Sequence, residues 1–171
     1  MYKRQEKYTS VKLVESNKTL LCEYFPTYGE DGHSLAYFRG NKNIPNYVKS
    51  IISSIENVID ELNINQSTTP LQWRLTLNFY KHVENVVAGF PFHVDIPANG
   101  VSTMILNIHN KAVFQIKKDD ITKEIELPIG SLLILSGESR YEWKHRVLPS
   151  TIDIVENTQD VQRISLVLGY K

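Results

Sequence analysis

From residue 73 to the last residue, the sequence offers one short strand-like run after another and no stretch with a helical repeat. WRLTLNFY (73–80) alternates, with Leu75, Leu77 and Phe79 on one face and Asn78 and Tyr80 on the other. VSTMILNI (101–108), AVFQIKK (112–118), KEIELP (123–128), SLLILSG (131–137), WKHRVL (143–148) and QRISLVLGY (162–170) follow, punctuated by Gly, Asn, Asp and Pro. Many short strands at such spacing argue for a sandwich or jelly roll.

Ahead of them lies IPNYVKSIISSIENVIDELN (44–63). Val48, Ile51, Ile52, Ile55, Val58, Ile59 and Leu62 recur at three- and four-residue steps, and Pro45 sits where a first helical turn tolerates it. This stretch predicts a helix that packs on the outside of a sheet. Residues 1–40 read as extended pieces, with a turn at GEDGH (29–33). The expected fold is mainly β with a flanking helix, around a double-stranded β-helix (jelly-roll) core. A length of 171 residues fits a single domain. Its 1–70 part would carry the extended pieces and supporting helix, and 71–171 the jelly roll.

Charge is balanced, with 19 Lys plus Arg against 19 Asp plus Glu, so bulk electrostatics favour neither strong nucleic-acid attraction nor repulsion. Cys22 is the only cysteine, which excludes an internal disulfide and a cysteine-rich zinc site. The N-terminus lacks the apolar core of a secretory signal, and no run is apolar enough to span a bilayer. An intracellular location, cytoplasmic or nuclear, a monomeric state and no membrane partner are the expectations.

The chemistry concentrates in FPFHVDIP (90–97). If this is a strand, His93 and Asp95 share a face among apolar residues. Alone, such a pair is more often a buried hydrogen-bonded couple than half of a metal site. A second histidine, His145, lies in YEWKHRVLP, and Arg163 lies on the apolar last strand. Two histidines and one carboxylate form the facial triad suited to non-haem Fe(II), with positions left for a bidentate co-substrate and O2. A buried Arg163 would need an anion, because an unpaired guanidinium there is costly.

LNFY (77–80), FHVD (92–95), PIGSLLILSGESRYEWKH (128–145) and RISLV (163–167) together resemble the AlkB-like Fe(II)- and 2-oxoglutarate-dependent dioxygenases. The matching pieces occur in family order over the last hundred residues or so. The resemblance implies that His93, Asp95 and His145 hold iron and that Arg163 binds the distal carboxylate of 2-oxoglutarate with help from the Tyr80 hydroxyl. It implies that Asn78 contacts the carboxylate end nearer the metal. Family members convert 2-oxoglutarate and O2 to succinate and CO2 while hydroxylating a substrate C–H bond, and an N-methyl group so hydroxylated leaves as formaldehyde.

Three positions depart from the family pattern. Gly169 stands where a second arginine is usual, Ser165 where an asparagine is usual, and Pro97 where repair-type members carry an acidic base-reading residue. An alkylated or modified base in DNA or RNA is the first substrate class, with Lys3, Arg4, Lys7, Lys12, Lys18, Arg39, Lys42 and Lys49 as its basic face. A protein or other non-nucleic-acid substrate is the alternative, and a catalytically weak binding module of the same fold is the third. Arg140 and Tyr141 read as ties for the loop before His145. His33, His82 and His109 read as surface or structural histidines, and Trp73 and Trp143 as core. KKDDITKE (117–124) reads as a solvated hairpin.

Overall fold

The computed structural model describes the backbone at residues 9–15, 18–26, 33–38, 46–62, 73–83, 86–87, 89–151 and 161–170. Helix α1 spans Asn46–Glu61. Its buried stripe is Val48, Ile52, Ile55 and Ile59, the spacing that one face of a helix imposes. Ile59 is fully buried, which is worth about 1.5–3 kcal/mol for a side chain of that size. Leu62 was expected on this stripe. It falls just past the helix end instead and is 58% exposed.

Strands β1 (Thr9–Glu15), β2 (Lys18–Pro26) and β3 (His33–Phe38) form an antiparallel series. They are the extended pieces expected before the helix. The turn read at 29–33 lies outside the described residues except for His33, which opens β3. After α1 come β4 (Trp73–Val83), β5 (Val86–Val87), β6 (Phe90–His93), β7 (Ser102–His109), β8 (Ala112–Lys118), β9 (Ile121–Leu127) and β10 (Leu132–Leu135). A single helical turn, α2 (Glu138–Tyr141), precedes β11 (Lys144–Val147), β12 (Ser150–Thr151) and β13 (Val161–Tyr170).

The strands form two sheets. The larger runs β1-β2-β3-β4-β13-β7-β10, with β5 and β12 attached beside β4, and the smaller runs β6-β11-β8-β9. Every pairing is antiparallel. Strands remote in sequence, such as β4 and β13, lie side by side, as a jelly roll requires. The tight turns at Asn110 and Asp119 have φ of 58° and 52°, a left-handed conformation that these residue types tolerate. The second of these closes the β8–β9 hairpin read from KKDDITKE.

The larger sheet is covered on both faces. Trp73, Leu75, Met104, Leu166 and Leu168 pack against α1, and the Trp73 indole N–H donates to Glu56 Oε1 at 2.8 Å. On the other face, Tyr80 and Ile105 meet Phe90, Phe114, Leu127 and Val147 of the smaller sheet. The period-two alternation of strands makes this division. Along β13, Leu166 and Leu168 face the helix, while Arg163, Ser165 and Val167 face a pocket between the sheets. No described helix is long and apolar enough to cross a membrane.

Candidate functional site

One wall of the pocket comes from the smaller sheet. β6 and β11 pair so that His93 lies directly across from His145. Their rings meet edge to face, with centroids 4.2 Å apart. Phe90 stands against His93 at 4.4 Å and Phe114 stacks on His145 at 5.3 Å, so aromatic packing fixes both rings. The strand expected through 90–97 stops at His93. Asp95 arrives from the extended segment beyond it, yet its carboxylate still meets both rings. Oδ1 lies 3.7 Å from His93 Nε2, and Oδ2 lies 3.6 Å from His145 Nε2.

His93, Asp95 and His145 thus bring three ligand-type atoms within 4.8 Å of one another. His93 Nδ1 lies 2.8 Å from the Pro91 carbonyl oxygen, which places an N–H there and turns Nε2 toward Asp95. Asp95 Oδ2 and His145 Nδ1 are buried without a hydrogen-bond partner. Burial works to raise the Asp95 carboxyl, but the His93 and His145 imidazoles beside it more than offset this and hold it below its ordinary value. The His145 imidazole is pushed down to about 4, by burial first and by repulsion from His93 and Arg140, against the pull of Asp95. At neutral pH it is therefore an uncharged ring with a lone pair to give.

The opposite wall comes from the larger sheet. Asn78 and Tyr80 lie on the pocket face of β4, the division expected from the alternation of WRLTLNFY. Arg163 sits across from Tyr80 and Ser165 across from Asn78. The Arg163 guanidinium carbon lies 4.4 Å from the Tyr80 ring centroid, a cation–π contact. The residue is only 3% exposed, and its Nη1 and Nη2 have no hydrogen-bond partner, so two buried N–H edges face the pocket unsatisfied. Its Nε donates to Asn107 Oδ1 at 3.3 Å.

Sequence reasoning understated Arg140. It ties more than the loop ahead of His145. The side chain is 1% exposed and reaches back over 40 positions to donate from Nη1 to the Asp95 carbonyl at 2.9 Å and from Nη2 to the Ile96 carbonyl at 2.8 Å. It therefore holds the backbone that carries the Asp95 carboxylate. Outside, Lys118 bridges Glu138 at 3.2 Å and Glu142 at 2.6 Å and pins α2 to β8. Those two carboxylates, Glu142 first, raise the Lys118 ammonium above its ordinary value.

The departures noted in the sequence have structural counterparts. Gly169 follows Val167 on the pocket face of β13, and a Cβ there would fall 2.2 Å from the Asn99 carbonyl oxygen. The short 3₁₀ turn Pro97–Asn99 therefore occupies the space where the family pattern has an arginine. Phe114, Asn99 and Asn107 were not singled out from the sequence. Asn107 alone carried a signal, as a polar residue inside the apolar run VSTMILNI. Trp73 is buried and His109 exposed, as expected, while Trp143, expected in the core, is only half-buried. The side chains of His33, His82 and the basic residues before position 46 lie outside the description, and Lys49 is exposed.

No protein-family model matches the sequence. The chain is 30% identical over 122 residues to the mouse tRNA (carboxymethyluridine(34)-5-O)-methyltransferase ALKBH8, a match covering 70% of this chain and 17% of that protein. It is 33% identical over 85 residues to the Xenopus tropicalis protein of the same description, covering 48% of this chain and 13% of that one. The chain thus spans less than a fifth of the length of either relative. Among solved structures it is similar to OsALKBH1, with a TM-score of 0.61 and 16% identity over 85% of this chain and 83% of that one. It is also similar to a Pseudomonas putida prolyl-4-hydroxylase, with a TM-score of 0.57 and 14% identity over 86% and 76%. At these identities the structural likenesses are likenesses of fold.

Proposed function

We infer that this chain, an AlkB-like member of the Fe(II)- and 2-oxoglutarate-dependent dioxygenases, oxidises a modified nucleobase in RNA or DNA at the pocket between its sheets. The observation that carries the reading is the pair of buried, partnerless Arg163 N–H edges in the same pocket as the His93, Asp95 and His145 cluster. One feature calls for a carboxylate and the other for a cation.

The residues fit a ferrous ion. A largely buried carboxylate with an unpartnered oxygen between two imidazoles is the donor set of a facial triad. His93 Nε2, Asp95 and His145 would hold the metal. Iron so held supplies the redox chemistry that couples conversion of 2-oxoglutarate and O2 to succinate and CO2 with insertion of one oxygen atom into a substrate C–H bond. Arg163 Nη1 and Nη2 would fork the distal carboxylate of 2-oxoglutarate. The Tyr80 hydroxyl would help there, and Asn78 would contact the end nearer the metal. Phe114, Phe90 and Ile105 line the pocket with apolar surface, which strengthens each of these charged contacts.

The substrate class rests on the mouse relative, whose name specifies tRNA and whose match covers most of this chain. A base would have to leave its stack to enter the pocket. A second reading, the same chemistry on a protein side chain, is favoured by Pro97 in place of an acidic base-reading residue. The test is direct. Protein reconstituted with Fe(II) and 2-oxoglutarate without oxygen should develop the visible charge-transfer band of the chelate. Methylated tRNA, DNA and peptide pools should then be assayed for formaldehyde and hydroxylated products. RNA turnover supports the first reading and peptide turnover the second. Absence of the band and of succinate leaves only the inert binding module.

A further inference from the structure

Arg163 can offer a carboxylate two different edges. One is Nη1 with Nη2, and the other is Nε with an η nitrogen. In this chain Asn107 Oδ1 takes Nε at 3.3 Å, so only the Nη1–Nη2 edge is left for a ligand.

Asn107 is itself held so that it cannot do otherwise. It is fully buried at the end of β7. Its Nδ2 donates to the carbonyls of Asn110 at 2.5 Å, Leu127 at 2.9 Å and Pro128 at 3.2 Å. Turning the amide over would aim Oδ1 at three carbonyl oxygens and leave Arg163 Nε facing an NH2 group. Its backbone is fixed too, with its N–H on the Ser131 carbonyl at 2.9 Å and its carbonyl taking the Gly130 N–H at 2.7 Å. The β13–β7 ladder slips register beside it, between Ile164 and Ser165, just after Arg163.

We propose that Asn107 is a positioning residue that presets the Nη1–Nη2 edge of Arg163 for the oxo-acid carboxylate. The proposal rests on Arg163 binding that carboxylate. Asn107 never touches the ligand. It removes one of two competing arginine poses before binding, and so lowers the ordering cost of capture. It does this as a neutral acceptor, without cancelling the guanidinium charge.

The test separates co-substrate from metal. Dissociation constants for Mn(II), and for 2-oxoglutarate on the Mn(II)-loaded protein without oxygen, are measured by calorimetry. The proteins are wild type, Asn107→Leu, Asn107→Asp, Arg163→Ala and the Asn107→Leu/Arg163→Ala double variant. Melting temperatures identify the folded variants. Asn107→Leu should weaken 2-oxoglutarate about tenfold, the scale of one hydrogen bond to a charged group, and leave Mn(II) affinity unchanged. Asn107→Asp, isosteric and the fallback should the leucine variant not fold, should weaken it at least as much by pairing with Arg163. With Arg163 already removed, Asn107→Leu should cost nothing further.

Wild-type 2-oxoglutarate affinity in either folded variant overturns the proposal. So does a parallel loss of metal and co-substrate affinity, or an undiminished effect in the Arg163→Ala background, since each marks a merely structural role. Failure of the wild type to bind 2-oxoglutarate overturns the reading of Arg163 and the role of Asn107 with it. Failure to bind Mn(II) overturns the metal reading.

Discussion

The small sheet supplies the imidazoles of the pocket and the segment just beyond β6 its carboxylate, while the large sheet supplies the cation that faces them. The two are secured differently. At the metal-type end, neighbouring aromatics fix the rings and Arg140 holds main-chain carbonyls, so the carboxylate is placed through its backbone. At the cationic end, the Arg163 guanidinium is placed by side chains, with Asn107 at its Nε and the Tyr80 ring beneath it. Each end is thus adjustable without the other. The lesson is that metal affinity and co-substrate affinity in this fold should respond to separate sets of residues.

The two ends are not independent if variants at one disturb the other. Asp95→Ala is expected to have the largest effect, a loss of Mn(II) affinity of at least about a hundredfold by calorimetry, because two imidazoles alone no longer form the donor set. Next, Arg163→Ala should weaken 2-oxoglutarate by about a hundredfold, the usual cost of removing one partner of a buried charged contact, while Mn(II) binding stays near wild type. Smaller still, Arg140→Lys should weaken Mn(II) by about tenfold, since an ammonium cannot serve both carbonyls, and should leave the 2-oxoglutarate constant on the saturated protein unchanged. Should Arg140→Lys alter 2-oxoglutarate as strongly as Mn(II), the two ends are one unit.

A more modest change is expected in the pH dependence of stability. His145 titrates at about 4 when folded and near 6.5 when free. Between those values the unfolded chain binds the proton more readily. This contribution to stability is therefore present above pH 6.5 and drains away as pH falls toward 4. Melting temperatures of the metal-free protein should decline over that window more steeply for wild type than for His145→Phe. Arg163→Ala should show the wild-type slope.

Most of the β architecture was readable because alternation and turn residues agree. β8 matches its expected run at 112–118, and β4, β7 and β13 lie within a few residues of theirs. The site residues were readable for a related reason, since a histidine, a carboxylate or an arginine inside an apolar strand demands a partner. What stayed hidden depends on contacts between remote segments. Nothing local in SGESRYEWKH says that Arg140 grips carbonyls at 95 and 96. Nor does VSTMILNI reveal that Asn107 meets Arg163, 56 positions away. β6 ends at His93, short of Asp95, because the following segment turns toward β13 rather than continuing the ladder. The basic face read in the N-terminal third falls on side chains outside the described residues.

The close approach of the Asn99 carbonyl oxygen to Gly169 limits how this pocket can be rebuilt. An arginine cannot be introduced at 169 by a single substitution alone, because even its first side-chain carbon would overlap the 97–99 turn. The turn would have to be rebuilt beforehand, and doing so would disturb the segment that begins at Asp95. While that turn stands, any redesign of the pocket has to proceed through positions other than 169.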